Sequence, residues 1–285
     1  MPRTVPEAAA ETTAQAVAKA AAVQGPAGYL RSSVLAGAYV GIAVVLLVSV
    51  SAPLAAAGSP ATKLVQGAVF GLALTLVVFA GAELFTGNVM VMAHGISRRA
   101  TAWRSVGLVG GLSLLGNAVG SLVLAGAVHL SGVLGSSAGP TGPSPAVALL
   151  DGIVAAKTAA TGPQLFWRAV LCNALVCLAV WMATRAATDG ARLAVLWWGL
   201  LAFIGSGFEH SIANMTTFSL AALEGVADWS DLAGNLLWTI PGNVVGGLLV
   251  AAAYASRAGR GDAEPVVPPP GAAPELAVPG PRRAV

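Results

Sequence analysis

GAELFTGN at 81–88 and GSGFEHSIAN at 205–214 are polar, glycine-rich islands inside strongly apolar sequence. Gly81, Glu83 and Asn88 of the first return as Gly207, Glu209 and Asn214 in the second, each 126 positions later. The same interval carries Gly116 and Asn117 onto Gly242 and Asn243, and Gly-Asn-x-Val-Gly-x-Leu at 116–122 recurs at 242–248. One constant offset inside apolar sequence marks a duplicated membrane unit. Carboxylates at membrane depth are costly, so Glu83 and Glu209 are expected where the duplicated helices meet water or each other.

The rest of the chain agrees with a membrane protein. It is 56% hydrophobic and 9% charged, against roughly 25% charged residues in soluble domains. Mean hydropathy is +0.78. These values argue against a soluble enzyme. Six membrane segments are expected, near 33–52, 64–95, 105–130, 165–184, 193–222 and 233–256. The second and fifth are too long for straight spans, and each is interrupted by one of the polar islands. Irregular backbone at that depth is tolerated only where protein buries it or a cavity wets it, so each interruption is expected to line a path. Three spans per copy is an odd number, which makes the two copies inverted repeats. The expected class is therefore an all-α membrane protein, aquaporin-like, of two inverted three-helix repeats with helices two and five broken.

Every Lys and Arg except Lys63, Lys157 and Arg168 falls on one side of this topology. That bias places both termini in the cytoplasm. Residues 1–30 form a cytoplasmic segment with an amphipathic surface helix expected near Ala8–Val23, residues 31–256 the channel domain, and 257–285 a disordered Pro-rich tail. The basic residues are scattered between helices, so nucleic acid is not an expected partner; the lipid bilayer is. Cys172 and Cys177 sit on different faces of one helix and suggest neither a disulfide nor a metal site. No cofactor is expected, and no catalytic pair or phosphate-cradling loop is present.

His210 is the sharpest candidate, because imidazole exchanges a proton near neutral pH and can switch its affinity for a small anion. The competing role is a neutral ring bonded to helix ends at the break. Thr86, at the matching break, either donates to His210 or a passing anion, or caps the half-helix that follows. Glu83 and Glu209 are expected to be structural, accepting from half-helix N–H groups or pairing with Lys157. Asn88, Asn214, Asn117 and Asn243 are expected to satisfy backbone groups freed at the breaks. Lys157 either concentrates anions at an outer mouth or snorkels at the interface. Phe70, Leu74, Phe85 and Phe203 stand near the breaks as dry constrictions or as ordinary packing.

AGAYVG (36–41), GAELFTGN (81–88), CNALVCLAVWM (172–182), SGFEHSIANM (206–215) and PGNVVGG (241–247) resemble the signatures of the formate/nitrite transporter family across about 30–256. The resemblance implies a homopentamer in the bacterial inner membrane, each protomer with its own pore. It implies that His210 and Thr86 form a polar centre between two hydrophobic constrictions. By motif position, Leu74, Phe85 and Phe203, with Phe70, belong to the cytoplasmic and central narrowing. Leu84 and Val176 fall near the outer one, Asn173 and Asn243 line the pore, and Lys157 matches an outer vestibule lysine. AKTAA (156–160) and WWGLLAFIGSGFEHSIANMTTF (197–218) resemble the nitrite branch. The implied function is transport of a small monovalent anion, nitrite before formate or hydrosulfide. An aquaporin-like pore for neutral solutes and a membrane scaffold with a vestigial cavity are the alternatives.

Overall fold

The computed structural model describes residues 1–135 and 142–257. The expected disordered tail from 258 onward, and 136–141 of the loop before the fourth segment, lie outside the described residues. The described elements are eleven α-helices: α1 (Val5–Ala22), α2 (Pro26–Ala56), α3 (Thr62–Phe70), α4 (Leu72–Phe79), α5 (Phe85–Ser97), α6 (Trp103–Ser131), α7 (Pro145–Thr158), α8 (Gly162–Arg185), α9 (Asp189–Gly205), α10 (Ser211–Leu223) and α11 (Trp229–Arg257). By length and composition, α2, the α3–α4 run, α6, α8 and α11 can each cross a membrane. The fifth expected segment is divided into α9 and α10, of 17 and 13 residues, each short of a full crossing.

Both polar islands interrupt helices in the same way. Gly81 and Gly207 take positive φ angles, +74° and +72°, which only glycine adopts without strain. Leu84 and His210 follow in extended conformation as the N-caps of α5 and α10. The backbone groups released at the breaks are then bonded by one asparagine each. Asn117 Oδ1 accepts from Phe85 N at 2.9 Å while its Nδ2 donates to the Ser33 and Glu83 carbonyls. Asn243 Oδ1 accepts from Ser211 N at 2.8 Å while its Nδ2 donates to the Ala169 and Glu209 carbonyls. Each amide thus satisfies three backbone groups that no water reaches in a bilayer.

The flanking helices repeat as well. A Cβ on Gly120 would lie 1.9 Å from the Val34 carbonyl oxygen, and one on Gly246 would lie 2.3 Å from that of Val170. Gly116 and Gly242 meet the carbonyls of Leu30 and Phe166 in the same manner. α2 therefore packs on α6 as α8 packs on α11, backbone against backbone, the close approach that small residues permit. The partners Leu30 and Val34 map onto Phe166 and Val170 at an interval of 136, ten more than the interval between the breaks.

The N-terminal helix differs from expectation. It is docked, not merely surface-lying: Ala8, Ala9, Thr12 and Ala16 are buried, and His94 Nε2 meets the Ala9 carbonyl at 3.1 Å. Small side chains let α1 lie close to α5, where Ala16 packs at Gly95. Arg3 reaches the end of α8, donating to the Thr184 carbonyl, and Arg185 Nε donates back to the Arg3 carbonyl.

Candidate functional site

The N-termini of the two half-helices α5 and α10 converge. His210, the N-cap of α10, accepts from Ala213 N through Nδ1 at 3.1 Å. In a neutral ring the proton then sits on Nε2, which stands 3.1 Å from Thr86 Oγ1 in the first turn of α5 and donates to it. Two helix N-termini, each carrying a partial positive charge, meet at this one point. Both side chains are buried.

A dry layer surrounds the pair. Phe203 stacks on the imidazole with centroids 5.8 Å apart, and Phe70 meets Phe203 edge-on at 5.6 Å. Between Phe70, Leu74, Leu84, Val176, Phe203 and His210 lies a void of about 10 Å³, room for about one water.

A larger cavity opens on each side of that layer. The first, about 450 Å³, reaches His210, Phe70 and Phe203 and is bordered by Lys157, Arg168 and Glu209. The second, about 470 Å³, reaches Leu74 and Leu84 and is bordered by Lys19, Ser32 and Glu83. Each vestibule holds one lysine–glutamate pair. Lys157 Nζ donates to Glu209 Oε2 at 2.7 Å, and Asn214 Nδ2 donates to the same oxygen at 2.7 Å and to Asn235 Oδ1 at 2.8 Å. Lys19 Nζ donates to Glu83 Oε2 at 2.6 Å, with Asn88 Nδ2 and Tyr29 Oη on the same oxygen at 3.0 and 2.9 Å.

Several placements differ from those expected. Phe85 does not face the layer. It lines a separate apolar cavity between α5, α6 and α11, because Leu84, the extended N-cap, takes the inward side and Phe85 opens the helix on another face. Asn173 and Asn243 border none of these cavities. Asn173 Nδ2 is committed to the carbonyls of Thr86 and Asn243, at 3.1 and 2.6 Å, and Asn243 to the break itself. The walls are also exchanged: Phe70 and Phe203 border the Lys157 vestibule, whereas Leu84 borders the Lys19 vestibule together with Leu74. Of the two roles expected for the glutamates, Glu209 takes the pairing with Lys157, whereas Glu83 pairs with Lys19 instead; neither takes the half-helix N–H groups of Phe85 and Ser211, which Asn117 and Asn243 occupy. Asn88 and Asn214 accordingly hold carboxylates, not backbone. Lys19, Tyr29, Arg168 and Asn235 were not among the expected site residues.

Comparison with known proteins fits this architecture. The profile of the family described as formate/nitrite transporter matches residues 6–256. The nitrite transporter NirC of Escherichia coli (strain K12) is 41% identical over 226 residues, covering 78% of this chain and 80% of that protein. A solved structure described as an FNT family ion channel is similar with a TM-score of 0.79 at 36% identity, over 88% of this chain and 98% of that one. A pentameric formate channel with formate bound has a TM-score of 0.68 at 26% identity, over 82% and 97% of the two chains. The chain belongs to the formate/nitrite transporter family of membrane transporters and channels.

Proposed function

We propose that this chain passes a small monovalent anion, nitrite first, through a path centred on His210. The observation that carries it is the succession of a wide vestibule, a dry layer with one ionisable ring, and a second wide vestibule. An anion leaving water for such a layer loses its hydration and needs compensation. His210 Nε2, with the Thr86 hydroxyl and the paired half-helix N-termini, supplies a proton or charge-assisted hydrogen bonds at that point. Phe70 and Phe203 strip water on one side, Leu74, Leu84 and Val176 on the other.

The remaining features form one picture. Six crossings arise when α3–α4 with α5, and α9 with α10, are each counted as one broken span. Matched breaks and matched helix packing support an inverted three-plus-three repeat. The distribution of Lys and Arg favours both termini in the cytoplasm of a bacterial cell, with the Lys157 vestibule outside. A homopentamer fits the assembly of the similar formate channel and the apolar outer faces of α6 and α11, where Val123, Leu130 and Leu237 are exposed. Formate is the second reading, favoured by the formate bound in that same structure. Planar-bilayer currents for nitrite and formate at two pH values test both. Anion-selective current, larger for nitrite, is expected; water or glycerol flux without anion current contradicts the path.

A further inference from the structure

The apolar cavity beside Phe85 is left over by the proposed path. It measures about 530 Å³ and is lined by one face each of α5 (Val89, Ala93, Ile96), α6 (Val106) and α11 (Val244, Leu248). Its floor, at Phe85, Met92 and Val109, is buried, whereas Trp103 and Leu248 at its rim are exposed. The duplication supplies an internal control. Residues 211–221 of α10 are all buried. In the matching α5, the residues left unburied are Gly87, which borders the Lys19 vestibule, and Val89, Ala93, Ile96 and Ser97, which all line this cavity. At the 126 interval Val89 and Met92 become Met215 and Phe218, larger side chains that are themselves buried. One half thus keeps an open slot where the other is packed.

Length and charge say what fits the slot. Its lining runs along α5 from Phe85 at the break to Ser97, roughly 18 Å at ~1.5 Å per residue, against about 15 Å for one leaflet of a ~30 Å hydrocarbon core. At the Ser97 and Trp103 end stand Arg98, Arg99 and Arg104, and the sequence holds no carboxylate between Glu83 and Asp151. Arg99 and Arg104 are exposed, and among the described residues no carboxylate lies within ion-pair distance of either. Trp103 beside them is the kind of side chain that sits at headgroup level. A phospholipid carries an apolar chain and a negative headgroup on one molecule, which is the combination this site presents.

We infer that the slot binds an anionic phospholipid, with one acyl chain along α5 and the phosphate at Arg99 and Arg104. Asn88 lines both the slot and the Lys19 vestibule, and its amide donates to Glu83. A seated chain packs the far side of a residue that secures the broken helix, so binding stabilises the protein. The inference stands whether or not the anion path holds.

The test is lipid binding to the delipidated full chain in detergent, read by native mass spectrometry and thermal unfolding. Phosphatidylglycerol should bind one site per protomer at least about ten-fold more tightly than phosphatidylcholine with the same chains, and should raise the unfolding temperature; inorganic phosphate should not raise it. Removing both charges in Arg99→Gln/Arg104→Gln should weaken phosphatidylglycerol roughly ten- to thirty-fold and abolish the preference. Ala252→Leu, at an exposed rim position, narrows the slot and should weaken both lipids while keeping the preference. Equal binding of the two lipids by the unaltered protein, an undiminished preference in the double arginine variant, unchanged binding in Ala252→Leu, or an unfolding temperature raised as much by inorganic phosphate overturns the inference. So does a photo-crosslinking residue in place of Ala93 that joins two copies of the chain rather than chain to lipid, which would make the slot an interface between copies.

Discussion

The two vestibules share a frame and differ in what was added to it. In each, a glutamate at a broken helix is held by a lysine and an asparagine, and an asparagine from a packed neighbouring helix closes the break. Both lysines come from the helix just ahead of each half, Lys19 near the end of α1 and Lys157 near the end of α7, and the interval of 136 that relates Leu30 to Phe166 also carries the end of α1 onto that of α7. The Lys157–Glu209 pair is drier, however, with side chains 17% and 3% exposed against 20% and 19% for Lys19–Glu83. Duplication thus preserved the carboxylate, the break geometry and a preceding helix that carries the cation, while the burial of the carboxylate diverged.

That difference can be broken experimentally. Lys157→Met leaves a nearly inaccessible carboxylate without its cation and should cost about 3–5 kcal/mol. Lys19→Met should cost roughly 1–2 kcal/mol, because Glu83 is wetter and keeps Tyr29 and Asn88. Thermal unfolding in detergent reads both, and equal losses would remove the asymmetry. Next in size, Gly120→Ala and Gly246→Ala each push a methyl into a backbone carbonyl of the paired helix and should cost about 1–3 kcal/mol apiece. Gly107→Ala, with nothing within 4 Å in the chain, is the control and should be near neutral in the isolated protomer. If the two halves respond unequally, the matched packing of α2 on α6 and α8 on α11 is not energetically equivalent.

Smaller effects sharpen the picture. Phe85→Leu should lower stability by about 1 kcal/mol and leave anion flux alone, since Phe85 faces away from the dry layer. A change in ion selectivity would return Phe85 to the path. The smallest effect concerns α1, which carries Lys19. Thr4 caps this helix, and its N–H and hydroxyl hold the Glu7 carboxyl below the usual carboxylate range. A lowered folded-state value means the contribution is present at neutral pH and is lost as pH falls through that lowered value. Thr4→Ala should therefore speed amide hydrogen exchange within 5–22 at neutral pH and make little difference in strong acid.

Much of the fold could be read from residue types alone, because glycine, glutamate and asparagine recurring at a fixed interval inside apolar sequence are the mark of a duplicated, broken membrane helix. The breaks after Gly81 and Gly207, the asparagines that close them and the pairing open to Glu209 and Lys157 all follow from the cost of unsatisfied polar groups in a bilayer. What stayed hidden has a physical cause in each case. The first helices of the repeats are related by 136 rather than 126, since the connections behind them differ in length, so a single interval could not align Leu30 and Val34 with Phe166 and Val170. Lys19 was out of reach because an Ala-rich helix gives no signal of which face docks, or where. Phe85 opens α5 on the face toward α6 and α11 while the extended N-cap Leu84 takes the inward side, and a motif fixes position without fixing side. The family resemblance implied by motif position that Asn173 lines the pore, yet the carbonyls of Thr86 and Asn243 claim its amide.

The imidazole at the junction of α5 and α10 is the centre of the proposed path. Asparagine at that position keeps an N-cap acceptor for Ala213 N while removing the exchangeable ring proton. Nitrite uptake into proteoliposomes should fall by at least about ten-fold in His210→Asn, with the fold and assembly retained. Uptake that matches the unaltered protein in rate and in pH dependence would contradict a His210-centred path.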